Sequence, residues 1–340
     1  MVTTTQDFDE DNSEMVDIAA RELPWHPLGM IASGTFVRPA VLAEEAGLTG
    51  WNVRKVSLPQ FLPKNFHWDM SAGDLVGVVR DSPTVDRQTD LLSIVTDKYN
   101  VTTNEDIIAV AEAFSQQSQA SAETAGSLRG GRQIFIVTEL PNDYVLDPDG
   151  AADVIKNYVT FIVSHDKTFS FVASNTPVRK ASQTVLNVEL PGTTQQYAIK
   201  HTKHSVIGES DALEVIRSNE NYFNEFTRRI QQLYAVRVTD AQFYELILRF
   251  YPEPRDNKKG AETRWAFKVA DIMSIWHRKE LAPIKHTGWG ALSAIAEYVQ
   301  WSRQARGAVV GFYQAGAGLE KKVNDSRTVL YNKVWNYIVG

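Results

Sequence analysis

Nine side chains carry the chemistry that this sequence could perform: Arg129, Arg132, Lys167, Arg179, Lys180, Lys200, His201, Lys203 and His204. They sit on or beside segments that alternate apolar and polar residues. Cations placed this way can hold the phosphates of a nucleic-acid backbone, and aromatic neighbours such as Phe169 and Phe171 could stack on bases or lie in the core. The same residues also suit solvated strand edges, where lysine discourages edge-to-edge pairing. The adjacent cations Arg179 and Lys180, in "NTPVRKASQTVLN", sharpen the question. Neighbours on a strand point to opposite faces, so at most one of the two lines a given site.

Other chemistries fare worse. The run from Gly126 to Arg132, "GSLRGGR", is glycine-rich but lacks Gly-Lys-Ser/Thr and precedes a strand instead of a helix, so a backbone turn is favoured over a phosphate cradle, although Arg129 and Arg132 keep the latter open. Ser164, His165 and Asp166 are the residue types of a hydrolase triad. Three consecutive residues at a hairpin tip cannot arrange nucleophile, base and orienter. His201 and His204 have a metal-like spacing, but strand positions three apart face opposite ways and Lys203 repels a cation. The expectation is therefore no catalytic set, no metal and no cofactor.

The elements that must position these cations follow from periodicity. Alternation marks strands in "WNVRKVSL", "LVGVVRD", "LLSIVTDKYNV" and "RQIFIVTELP", and in "QYAIKHTKH". "VIKNYVTFIVSHDKTFSFVAS" reads as a hairpin with His165, Asp166 and Lys167 at its polar tip. Val41–Ala46 forms a short helix, and Thr103 with Asp106 three residues on caps a helix over Glu105–Gln116. From Ser210 the period changes. Leu213, Ile216, Phe223, Phe226, Ile230 and Leu233 mark an amphipathic helix with a break near Asn219–Asn221. Thr239 and Gln242 form a capping box, and "TRWAFKVADIMSIWHR" and "TGWGALSAIAEYVQWSR" are a faint repeat of two helices packed through tryptophan.

Composition bounds the class. The chain has 340 residues, 43% hydrophobic, and no cysteine, which excludes disulfides, thiolate metal sites and cysteine nucleophiles. No apolar run approaches the length of a membrane span, and the N-terminus lacks the features of a signal peptide. Asp7 to Asp17 holds six acids and no base, an expected disordered acidic tail. The net charge of −6 hides a local balance of +4 between Val154 and Gly208, where six Lys/Arg face Asp166 and Glu189. The local field, more than the total, decides whether a phosphate-binding groove can form.

Longer motifs carry a family resemblance. They are "WHPLG", "AGLTGWNV", "VVRD", "SIVTDKYNVTTNED", "ETAGSLRGGRQIFIVTELP", "SHDKTFSF", "NTPVR", "IKHTKH" and "TGWGALSAIAEYVQWSR". In that order they cover most of residues 25–303, and the chain resembles the phage- and plasmid-encoded family known as domain of unknown function 932. After "TPVR" the family commonly shows Val-Val-Cys-Gln-Asn-Thr-Leu. Here Ser182 stands at the cysteine position, while Arg179 and Gln183 match. The resemblance implies a mobile-element setting and no particular reaction. Strands around a helix, followed by helices, are loosely similar to ring-forming annealing proteins of the Rad52-like kind.

The resulting expectation is an α+β protein with three regions: an acidic tail over 1–22, a mostly antiparallel sheet with an inserted helix over 23–208, and a mainly helical region over 209–340. Its expected function is binding of single-stranded DNA through the nine residues above, in recombination or annealing. It is expected to act as a homo-oligomer in the cytoplasm of a bacterial host, without a membrane. The alternatives are a protein-interaction or counter-defence factor that binds a host protein, and an enzyme with a site assembled from distant residues.

Overall fold

The computed structural model describes residues 21–58, 75–83, 85–86, 88–147, 150–169, 171–186, 188, 190, 192–198, 209–255, 260–301 and 326–340. The elements run β1 (Met30–Ile31), α1 (Pro39–Glu45), β2 (Arg54–Ser57), β3 (Leu75–Asp81), β4 (Thr89–Thr96), α2 (Asn104–Ser118), β5 (Ser121–Leu128), β6 (Gln133–Glu139), β7 (Tyr144–Leu146), β8 (Asp153–Ser164), β9 (Val172–Arg179), β10 (Thr184–Val185) and β11 (Gln196–Ala198). Five helices follow: α3 (Glu209–Ala235), α4 (Asp240–Phe250), α5 (Ala261–Trp276), α6 (Gly288–Trp301) and α7 (Ser326–Val339). The fold is α+β.

Eight strands make one curled antiparallel sheet in the order β1-β5-β6-β8-β9-β10, with β7 also paired to β8 and β11 to β9. A separate antiparallel sheet contains β2-β3-β4. The centre of the large sheet is β8, twelve residues long and buried over most of its length. Apolar residues occupy both of its faces because both faces are covered.

One face is covered by α2. Ile107, Val110, Ala111 and Phe114 of that helix pack with Ile134, Ile136, Val159 and Phe161 of the sheet. The Phe114 and Phe161 rings meet edge-on at 5.3 Å, a geometry favoured by the ring quadrupoles. The helix starts as the sequence indicates: the Thr103 hydroxyl accepts from the Asp106 backbone N–H at 3.2 Å, and the Asp106 carboxylate accepts from the Thr103 N–H at 2.7 Å. Thr103→Ala is expected to lower stability by about 1 kcal/mol, read as a shift in the urea midpoint.

The other face carries Phe135, Val137, Tyr158, Ile162, Val172 and Val178. The entry segment lies against it. Trp25 is fully buried and edge-on to Tyr158 at 5.3 Å. Its indole N–H donates to Glu123 at 2.5 Å, and His26 bonds the second oxygen of the same carboxylate.

The third core belongs to the helices. Tyr222, Phe223, Phe226, Ile230 and Leu233 of α3 meet Phe243, Ile272, Trp276, Trp289, Leu292 and Trp335, and the cluster reaches Leu146 and Ile155 of the sheet. Two expectations are corrected here. Helix α3 runs unbroken through Asn219, because that amide is buried and exchanges hydrogen bonds with Asn157 at 2.9 and 3.0 Å and donates to Asn175 at 2.9 Å. The buried stripe at its start is Ala212 and Val215, whereas Leu213 is 44% exposed. Trp276 and Trp289 of the two repeat helices are fully buried and act as core residues. Gly290 is required at its position, since a Cβ there would lie 2.3 Å from the Ile284 carbonyl oxygen. Among the described residues no helix is long and apolar enough to cross a membrane.

Candidate nucleic-acid interface

The β5–β6 connection is a tight turn over Arg129–Gly131 in which three consecutive residues have positive φ: 52° at Arg129, 68° at Gly130 and 88° at Gly131. Glycine suits two of those positions because it has no Cβ to clash in the left-handed region. At Gly131 there is a second reason. A Cβ would fall 2.1 Å from Arg80 Nη1 and 3.0 Å from Trp51. The missing side chain leaves room for the Arg80 guanidinium, which stacks on the Trp51 ring at 4.1 Å.

Pairing then brings a second turn alongside. Gln133 is opposite Ser164, and the His165 N–H donates to the Arg132 carbonyl at 2.7 Å. The β8–β9 tip begins at this point. Asp166 accepts from the Thr168 backbone N–H at 3.0 Å, closing a local turn, and Lys167 takes a left-handed φ of 61°. Arg129, Arg132 and Lys167 are therefore all exposed on adjacent turns at one end of the large sheet. The Lys167 ammonium lies 5.2 Å from the centre of the Tyr99 ring, whose hydroxyl donates to the Ser164 carbonyl at 3.2 Å.

The three-stranded sheet borders this end. Ser93 donates to the His165 carbonyl at 2.6 Å. Its other cations are engaged: Arg54 with Asp81 at 2.7 Å, Lys55 with Asp97 at 3.5 Å and Arg80 with Asp90 at 3.3 Å. Lys98, exposed and next to Tyr99 in the chain, was not among the expected residues. Its signal was the Lys-Tyr step at the end of a strand, a cation next to a flat ring.

Ser164, His165 and Asp166 do not form a triad. The Ser164 hydroxyl donates to the Phe169 carbonyl at 2.7 Å, and Asp166 serves its own turn. His165 is fully buried, with Nε2 2.9 Å from Asn104 Oδ1. Burial pushes its pKa down from 6.5 to about 4, so the native ring is neutral while the unfolded ring still binds a proton between those values. The unfolded state then holds more protons, and stability rises with pH across this window. The urea midpoint is expected to fall as pH falls from 6.5 towards 4. His165→Gln is expected to flatten that slope, which is worth on the order of 3 kcal/mol.

Two of the remaining expected site residues, Arg179 and Lys180, lie elsewhere. Arg179 is opposite Ile155 at the far end of β8. From Ile155 to Ser164 is nine strand steps, about 30 Å at roughly 3.4 Å each. The nine residues therefore do not share one groove. Arg179 is 1% exposed, with Nε donating to Asp153 at 2.8 Å and Nη2 donating to the Glu280 carbonyl at 2.8 Å. This corrects its expected role as a surface phosphate contact: it is a buried partner joining sheet to helices. Lys180 points the other way, exposed, 3.9 Å from Asp143. Lys200, His201, Lys203 and His204 lie outside the described residues. Phe171 is buried and Phe169 half-buried, so Phe171 belongs to the core and not to a stacking surface.

The class defined by these features is an α+β protein with a curled antiparallel sheet whose one end carries exposed turn cations. Residues 91–335 match the family described as a domain of unknown function (DUF932), and the chain belongs to that family. Nothing in that assignment points to enzymatic activity. No curated protein and no solved structure matches the chain.

Proposed function

We propose that this protein binds single-stranded nucleic acid at the sheet end built from Arg129, Arg132 and Lys167. One observation carries the reading: three exposed cations occupy two turns that the His165-to-Arg132 backbone bond holds side by side. Turn cations at a sheet end grip phosphates through charge, independent of sequence, and leave bases outward for pairing. Such a grip fits annealing by a homo-oligomer in a phage or plasmid setting inside a bacterial host. The acidic stretch Asp7–Asp17 would compete with nucleic acid for the same cations.

Fluorescence anisotropy with labelled single- and double-stranded oligonucleotides at low salt tests the reading. Saturable binding of the single strand is expected, and no binding at low salt contradicts it. A second reading, docking of a host protein on the helices, has its own observation: Phe267 on α5 is 68% exposed. An exposed aromatic of this kind is a frequent anchor of protein interfaces. A stoichiometric host partner recovered by the wild type and lost with Phe267→Ala would favour it.

A further inference from the structure

Helix α5 turns one uncharged stripe to solvent. Thr263, Phe267, Ala270 and Ser274 are all exposed, and steps of four, three and four residues put them on one line along the helix. Phe267 is 68% exposed, more than any other large apolar side chain among the described residues. The helix already has its core face in Val269, Ile272, Ile275 and Trp276, all buried in the helical cluster. Half-buried Lys268 reaches the Tyr251 ring at 5.3 Å and leaves the stripe clear.

The flanks of the stripe carry a pattern of their own. Arg264 and Asp271 lie along one flank, seven residues apart, and Ala266 and Met273 lie along the other. Seven residues make two helical turns, so a cation and an anion mark the two ends of one edge. A two-fold axis through the stripe, midway between Phe267 and Ala270, would set a second α5 antiparallel on the first. Each Phe267 then meets Ala270 of the second copy, a large side chain against a small one, and each Thr263 meets Ser274. The same operation sets each Arg264 beside Asp271 of the second copy. A two-fold interface must be complementary to itself. Opposite charges at the two ends of one flank meet that condition, whereas like charges there would repel the copy. Partial burial raises the Asp271 carboxyl pKa, and Arg278 offsets this only in part, so a second guanidinium would stabilise the charged form.

We infer that α5 is an interface between two copies of this chain, paired antiparallel through Thr263, Phe267, Ala270 and Ser274 and flanked by two Arg264–Asp271 ion pairs. Charge complementarity across the two-fold selects a second copy over an unrelated protein as the occupant. The pairing supplies a surface for the homo-oligomer proposed above and does not depend on nucleic-acid binding. The helix has 16 residues, about 24 Å of length, which gives a small interface of the weak, reversible class.

Sedimentation equilibrium of the full chain, at low salt and without oligonucleotide, reads the association over roughly a 100-fold range of concentration. Wild type is expected to show a monomer–dimer equilibrium. Phe267→Ala is expected to weaken it at least about tenfold, because the two-fold removes the ring twice. Arg264→Glu and Asp271→Arg each set like charges against one another and are expected to weaken it about tenfold. Mixed in equal amounts, these two variants are expected to recover a heterodimer, since each offers the charge that the other lacks. Arg264 and Phe267 are exposed, so Arg264→Glu and Phe267→Ala decide the matter if Asp271→Arg fails to fold. Arg129→Ala/Arg132→Ala/Lys167→Ala is expected to dimerise like wild type, which separates this interface from the nucleic-acid reading. Four results overturn the inference. They are a wild type that stays monomeric throughout, even if it captures a host protein; Arg264→Glu and Phe267→Ala proteins that associate as tightly as wild type; folded charge variants whose mixture stays monomeric; and loss of the dimer in the triple cation variant.

Discussion

Arg179→Ala is expected to lower the unfolding free energy by about 3–5 kcal/mol, whereas Lys180→Ala changes it by at most about 0.5 kcal/mol. The two residues are adjacent and carry the same charge, so the difference comes entirely from where they point. Alanine at 179 leaves Asp153 buried with only the Trp289 indole to solvate it, and frees the Glu280 carbonyl. A carboxylate in that position loses its counter-charge without regaining water, which is the costly half of a buried pair. Lys180 is exposed and its nearest acid, Asp143, is 3.9 Å away, a solvent-screened contact. Urea titrations of both variants give the answer. Equal midpoints for wild type and Arg179→Ala would contradict the buried pair.

Arg129→Ala/Arg132→Ala/Lys167→Ala is expected to weaken single-strand binding about 10²-fold near 0.1 M salt while the urea midpoint stays close to wild type. Each phosphate contact on a single strand contributes about 0.7 to the slope of log K against log salt. Three contacts therefore amount to about two decades of affinity relative to 1 M salt. All three side chains are exposed turn residues, and surface substitutions of this kind usually leave stability nearly unchanged. Binding equal to wild type, by a variant that folds normally, would move the interface elsewhere.

Much of the architecture could be read from local pattern. The Thr103 and Thr239 capping boxes, the β8–β9 hairpin and the tryptophan helices each depend on residues close in sequence, and all are present. What pattern could not supply was long-range partnership. Alternation says that Arg179 and Lys180 point opposite ways but not which one goes inside. That is decided by Asp153 and by Trp289, the latter 110 positions downstream of Arg179. Asn219 looks like a helix breaker beside Asn221, yet Asn157 and Asn175 on two strands satisfy its amide and keep α3 intact. The same limit applies to the site. Listing cations along the chain joined Arg132 and Lys167 to Arg179, but the β6–β8 and β8–β9 registers put them at opposite ends of β8.

The most direct measurement of the proposed interface is a salt series of anisotropy titrations, comparing wild type with Arg129→Ala/Arg132→Ala/Lys167→Ala on one labelled single strand. The expected result is a linear fall of log K with log salt for both proteins, shallower by about 2 in the variant. Superimposable slopes, in proteins that unfold at the same urea concentration, would contradict a nucleic-acid grip at this end of the sheet.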